Sequence, residues 1–192
     1  MIDVCFVVLP GTLLLDLAGM AEAFRLANQR LAMRGRPPAY RLRYLGPRPA
    51  ARSSVGAQVA GLEPLPDTLP EGASVVLLGQ PSGGESPLMR PLPRDWTDTR
   101  RWLARVLAPR LQAGTAELVT ICAGTLQAAD AGLLAGRRCT THHESLDDLR
   151  RLAPQAQVVA NRVFVQDGPV ASSAGCTAGI DLALHRVARD CG

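Results

Sequence analysis

Strand-like and helix-like segments alternate along the whole chain. This predicts an α/β fold, a three-layer sandwich whose mostly parallel sheet carries helices on both faces. Three observations carry the expectation. Ile2 to Leu9 is almost continuously apolar, as a strand buried on both faces must be. The apolar period then changes to every third or fourth residue, the spacing of one helical face. Ala116 to Ile121 repeats the pattern and runs straight into small residues and a new helix.

In chain order, Ile2 to Leu9 (IDVCFVVL) is stopped by Pro10-Gly11. From Asp16 onward, Leu17, Met20, Ala21, Phe24, Ala27 and Leu31 share one helical face, with Asp16 placed to cap or flank the start. Tyr40 to Leu45 reads as a second strand. Gly46 to Gly72 is rich in Pro, Gly and Arg and predicts loops with a short strand near Ala57 to Ala60. Ser74 to Leu78 is a buried strand broken by Gly79, and Gln80 to Arg94 is a loop rich in Pro, Gly and Ser. Leu103, Val106, Leu107 and Leu111 mark a helix that Pro109 kinks or shortens. After the Ala116 to Ile121 strand, a helix from about Ala123 to Leu133 buries Leu126, Ala129 and Leu133. Arg138 to Thr141 suggests a further strand, Ser145 to Leu152 a short helix, and Val158 to Val170 a hairpin turning at Asp167-Gly168. The last helix sets Ile180, Ala183, Leu184 and Val187 on one side. One domain of ordinary size, 1–192, accommodates all of these elements.

Composition narrows the class. With 47% apolar and 20% charged residues the chain is globular in character. No apolar run approaches the length of a membrane span, and Asp3 stands where a cationic leader would be, so a cytoplasmic location is expected. The formal charge is +4, yet all 21 basic residues are Arg and none is Lys. They are scattered in ones and twos with acidic neighbours, as Asp95 and Asp98 stand near Arg100 and Arg101. That pattern describes a solvated surface rather than a phosphate-tracking groove, so this segment is not expected to contact nucleic acid. The five cysteines are odd in number, widely spaced and free of any C-x-x-C pair, which argues against a disulfide framework or a structural zinc site. Neither a metal nor a cofactor is expected.

The strongest chemical signal is Leu118-Val119-Thr120-Ile121-Cys122-Ala123-Gly124. A buried strand meets a helix through a thiol, with small residues on its C-terminal side that let the chain turn sharply. Such a turn holds the side chain in a strained, exposed pose above the sheet. The helix N-terminus that follows supplies free N–H groups and partial positive charge, so a lowered thiol pKa is expected. The same N–H groups suit an anion or a developing oxyanion. For Cys5, Cys139 and Cys191 the reading is a small buried hydrophobe. Cys176, which opens the last helix after Ser172-Ser173-Ala174-Gly175, is read the same way, with a role at the site as the alternative.

At these residues the chain resembles the ThiJ/PfpI (class I glutamine amidotransferase-like) superfamily. Cys122-Ala123-Gly124, Ala131-Gly132-Leu133-Leu134-Ala135-Gly136-Arg137-Arg138 and Thr140-Thr141-His142 are similar to its central motif. Leu9-Pro10-Gly11 with Asp16-Leu17-Ala18-Gly19, and Ser173-Ala174-Gly175 with Thr177-Ala178-Gly179-Ile180-Asp181, agree at the two ends. The likeness is greatest to the branch that forms the N-terminal half of AraC-type transcriptional regulators of the GlxA kind. The resemblance implies a flavodoxin-like fold. It also implies that Cys122 is the elbow nucleophile, that Asp16 is the carboxylate hydrogen-bonded to it, and that His142 is a histidine near the thiol. Gly79, Gln80, Ala123 and Gly124 are implied to line the ligand site. Three departures matter. Ala123 replaces the histidine of protease-like members, so peptidase activity is not expected. Leu78-Gly79-Gln80 replaces Pro-Gly-Gly in the loop that would complete an oxyanion hole, and His143 replaces a common tryptophan.

Three functions follow, in this order. The first is a sensing and dimerisation domain that binds a small effector, a nitrogenous metabolite among the candidates. Its AraC-type DNA-binding domain is expected beyond Gly192 in the natural protein, so that DNA is contacted only through a part absent here. The second is a stand-alone isocyanide hydratase-like enzyme with Cys122 as nucleophile and Asp16 managing the proton. The third is a thiol-based redox sensor built on Cys122. For two of the site residues a plainer role stays open: Asp16 as a helix cap and His142 as an ordinary strand-end histidine.

Overall fold

The computed structural model describes residues 1–81 and 93–192. Its centre is a seven-stranded sheet in the order β10-β11-β7-β6-β1-β2-β5. The strands are β1 (Ile2–Val7), β2 (Tyr40–Gly46), β5 (Glu63–Pro64), β6 (Ala73–Leu77), β7 (Ala116–Ile121), β10 (Phe164–Asp167) and β11 (Val170–Ser173). Every neighbouring pair is parallel except β10 with β11, the antiparallel hairpin that closes one edge. The central strands β1, β6 and β7 are almost wholly buried, which is why their sequences are continuous apolar runs rather than alternating ones. Helices cover both faces. On one, α1 (Leu14–Met33) packs against α6 (Ala178–Cys191). On the other lie α2 (Arg94–Trp102), α3 (Ala108–Gln112), α4 (Gly124–Asp130) and α5 (Leu146–Leu152). The expected three-layer architecture is the observed one.

Several details differ from expectation. In the segment Gly46 to Gly72 the expected short strand is present as β4 (Gln58–Ala60), but it pairs antiparallel with an unexpected β3 (Ala50–Arg52), and β5 extends the main sheet. Val158 belongs not to the hairpin but to β9 (Gln157–Val158), which pairs with β8 (Arg138–Cys139). Most of the expected Gln80 to Arg94 loop lies outside the described residues. The helix after it starts at Arg94, well before the apolar stripe that announced it, because Trp96 and Trp102 supply its first buried contacts. Their indole N–H groups donate to Asp130 Oδ2 (2.8 Å) and to the Pro66 carbonyl (2.7 Å). Pro109 does not end this helix. Leu103–Leu107 widens into a π-helical turn just before it, which removes the clash between the proline ring and the carbonyl four residues back. In α6 the buried side chains are Leu182, Ala183 and Arg186, while Leu184 faces solvent.

Two close approaches fix the layers. Gly179 of α6 sits where a Cβ would strike Ile121, and Gly19 of α1 where one would strike Ile180. At the other end of α6, fully buried Arg186 reaches under the sheet to Glu117 of β7 and to Ser74 Oγ of β6, with Arg189 also on Glu117. Ion pairing keeps that buried guanidinium from standing alone, which would be strongly destabilising. Gly124 is equally constrained, since a Cβ there would lie within 3.0 Å of the Leu77 carbonyl and of Leu78 backbone.

Gly124→Ala is therefore expected to destabilise the protein by about 1–3 kcal/mol, the usual penalty of overpacking against backbone. Gly175→Ala, which meets nothing within 4 Å, serves as the control and should stay within about 0.5 kcal/mol of the parent. Thermal unfolding measures both.

Candidate functional site

β1 and β6 lie side by side, and the chain leaves them toward opposite edges of the sheet, from β1 to β2 and from β6 to β7. An open α/β sheet binds ligands beyond the C-terminal ends of its strands at such a switch point. Four segments converge there: the first turn of α1, Gly79 after β6, Cys122 after β7, and the connection from β11 to α6.

Cys122 occupies the left-handed region at φ +54, a conformation costing about 1–3 kcal/mol outside glycine. Hydrogen bonds on both sides hold it. Its N–H donates to the Ser173 carbonyl at 3.1 Å. Its carbonyl accepts from Thr141 Oγ1 at 2.8 Å and from Thr125 Oγ1 at 3.3 Å. Thr125 Oγ1 also reaches the Thr140 carbonyl at 3.0 Å, so the segment after β8 is tied to the elbow. The backbone strain expected of the sharp turn is present. The exposure is not, for Cys122 is only 4% accessible, roofed by the residues around Gly79 and by the β11–α6 connection.

Asp16 is 1% accessible and lies inside the first turn of α1. It caps nothing: Leu13 holds the cap position, and the Asp16 Oδ2 atom instead accepts the Gly79 N–H at 2.9 Å. Oδ1 has no hydrogen-bond partner among the described residues. Cys176, half-buried in the β11–α6 connection, completes a triangle. One ligand atom each from Asp16, Cys122 and Cys176 lies within 4.8 Å of the others. The Cys176 thiol thus lies beside both the carboxylate and the Cys122 sulfur.

The electrostatics run opposite to the expected thiolate. Burial pushes the Cys122 thiol up to about 12, and the charge of Asp16 and the neighbouring Cys176 add to this. The Ala123 N–H acts the other way but does not prevail. The helix that should have stabilised a thiolate, α4, is only seven residues long and begins one position late. Burial likewise raises Asp16, against the Gly79 N–H, the Cys176 contact and the more distant charge of His142. Cys176 is raised by burial and then by Asp16.

His142 stands at the rim rather than in the triangle. Its side chain is 29% accessible, its Nδ1 lies 3.6 Å from Glu144 Oε2, and its ring packs on His143 at 4.3 Å between centroids. Of the residues expected to line the site, Gly79 spends its N–H on Asp16 and has no room for a side chain, since a Cβ would fall 2.7 Å from Asp16 Oδ2 and 2.9 Å from Cys122 Cβ. Gln80 Nε2 donates to the Pro10 carbonyl at 2.6 Å and ties two loops together. Ala123 faces the thiol with its N–H, and Gly124 is packed against β6. The residue that sequence reasoning placed outside the site is Cys176. Its place follows from the register: β11 pairs with β7 so that Ser173 sits opposite Ile121, which brings the residues after both strands to one place.

Comparison with known proteins accords with this geometry. The DJ-1/PfpI family profile matches residues 108–189, the stretch containing the elbow and Cys176. The HTH-type transcriptional regulator GbdR of Pseudomonas aeruginosa is 31% identical over 193 residues, covering 97% of this chain and 46% of that protein. The HTH-type transcriptional regulator CdhR of the same species is 46% identical over 66 residues, 34% of this chain and 19% of the regulator. The isonitrile hydratase of Pseudomonas putida is 47% identical over 76 residues, 39% of this chain and 32% of the hydratase. In each case the match spans less than half of the relative's length. Among solved structures, an AraC family transcriptional regulator from Pseudomonas putida superposes with a TM-score of 0.75 at 19% identity, covering 100% of this chain and 94% of that one. Drosophila melanogaster DJ-1beta follows the same fold with a TM-score of 0.69 at 18% identity, covering 99% and 90%. The chain carries a DJ-1/PfpI (ThiJ/PfpI) family domain.

Proposed function

We propose that this chain is the small-molecule-sensing and dimerisation domain of an AraC-family transcriptional regulator, acting in the cytoplasm, with the recess around Asp16, Cys122 and Cys176 as its effector site. The observation that carries the reading is the extent of the match to GbdR, 97% of this chain, whereas the hydratase match is confined to 76 residues. The site chemistry supports binding over turnover. A thiol pushed up to about 12 is neutral at physiological pH, and the thiolate is the nucleophilic form. The Gly79 N–H, which an oxyanion would need, is already engaged by Asp16. No helix among the described residues is long and apolar enough to cross a membrane.

The effector class is a small nitrogenous metabolite, as the resemblance of the sequence implies. DNA contact is assigned to a helix-turn-helix domain elsewhere in the natural protein, in keeping with the 46% share of GbdR that the match covers. Dimerisation is assigned to α1. Leu15, Leu26 and Met33 are its exposed large apolar residues, and spacings of 11 and 7 place them on one stripe.

Four measurements test this reading. A panel of small nitrogenous metabolites is screened by thermal shift. A true effector at about 100 times its Kd adds about 2.7 kcal/mol, a rise of about 5–10 °C for a domain of this size, and Asp16→Asn should abolish it. Steady turnover of an isonitrile, lost in Cys122→Ser, would instead make the chain an enzyme. Alkylation of Cys122 by iodoacetamide, followed by peptide mass spectrometry, should be slow at pH 7 and accelerate continuously through pH 10, because the thiolate fraction keeps growing toward a pKa of about 12. A rate already at plateau by pH 8 would contradict the neutral thiol. Light scattering should find a dimer that Leu26→Glu converts to monomer; a monomeric parent would remove the dimer assignment.

A further inference from the structure

We propose that Asp16, Cys122 and Cys176 form a binding site for a thiophilic divalent cation of the Zn²⁺ type. The geometry has three parts. The three donor atoms lie within 4.8 Å of one another, brought together from α1, the end of β7 and the β11–α6 connection. Zn²⁺ bound tetrahedrally at about 2.3 Å to sulfur and about 2.1 Å to oxygen needs its donors about 3.5–3.8 Å apart, a spacing inside the 4.8 Å limit. The Asp16 carboxylate is 1% accessible, and its Oδ1 has no hydrogen-bond partner among the described residues, although two sulfurs lie close by. A buried carboxylate oxygen left in that state is costly; a thiol is only a weak donor, whereas a cation would satisfy it fully.

The donor set selects the ion. Two sulfurs and one carboxylate suit a borderline-soft divalent ion, being too sulfur-rich for Mg²⁺ or Ca²⁺ and carrying a hard oxygen that Cu(I) disfavours. Three protein donors leave a fourth position open on the Cys176 side, where the cluster reaches solvent. Binding balances as Zn²⁺ plus two thiols and one carboxylate giving a bis-thiolate carboxylate complex and two released protons. The ion would occupy the same recess as the proposed effector, and titrating it with no effector present lets the two readings fail separately.

The experiment uses the reduced 192-residue protein under argon. Zn²⁺ is titrated in competition with a chromophoric chelator, and Co²⁺ is titrated separately to observe the thiolate-to-metal charge-transfer band. The expected result is one ion per chain, about two protons released per Zn²⁺ in weak buffer, and a charge-transfer band with Co²⁺. Cys176→Ala and Asp16→Asn should each weaken Zn²⁺ by more than the 10- to 100-fold typical of outer-shell changes. Asn preserves an acceptor for the Gly79 N–H, and Cys176 is only half-buried, so both variants should keep the parent's circular dichroism. Absence of stoichiometric Zn²⁺ binding by the folded parent would overturn the proposal. So would variants that bind as tightly as the parent, which would move the ion to His142 and His143.

Discussion

The site depends on one backbone conformation, the left-handed turn at Cys122. A non-glycine residue resists that conformation, and the structure holds it by engaging the peptide on both sides. Ser173 takes the N–H, while Thr141 and Thr125 donate to the carbonyl. Both threonines are fully buried, and Thr125 also reaches the Thr140 carbonyl and shares a hydrogen bond with Thr120. A strand end, a helix start and the chain after β8 are thus joined at a single residue. Because the polar groups involved are out of water, breaking any of these bonds leaves a donor or acceptor unsatisfied, which makes the arrangement stiffer than its individual bonds imply.

The second constraint is electrostatic. Three groups that can each become anionic are held together in a nearly dry recess, and burial favours the neutral form of every one. An active-site cysteine at the end of a strand is ordinarily assisted by the helix that follows it. Here that helix is short, and the facing Asp16 carboxylate has the wrong sign to support a thiolate. The same elbow geometry therefore serves different chemistry according to what faces it, and fold membership leaves that choice open.

Much of this was legible in the sequence. Continuous apolar runs identified β1, β6 and β7, because a strand covered on both faces has no polar side to show. The elbow could be read from Ile121-Cys122-Ala123-Gly124, since a thiol between a buried strand and small residues has few other structural meanings. Trp96 and Trp102 read as residues that pack a helix, but the start of α2 at Arg94 had no apolar period to mark it, because its other buried side chains, Asp95 and Thr99, are polar. The two-residue β5 was hidden because an edge so short has no period. The continuation of the helix past Pro109 needed a π-helical turn, which leaves no mark in hydrophobic spacing. The thiol's ionisation was misjudged because a helix N-terminus is visible in sequence, whereas burial and a facing Asp16 are set by tertiary packing. Cys176 was passed over for a related reason. Its meaning comes from the register of β11 against β7, not from its own neighbours.

The C-terminal helix joins the two ends of the molecule mechanically. At its start Gly179 presses directly on Ile121, one residue from the elbow and just after Cys176. Two turns later Arg186 and Arg189 grip Glu117 at the opposite rim, and Asp190 accepts from the Tyr40 hydroxyl. With about 1.5 Å of rise per residue, the fourteen residues of α6 span about 21 Å. One helix thus packs against the elbow strand at one end and is held by ion pairs at the other, so the site and the far rim share a single structural member.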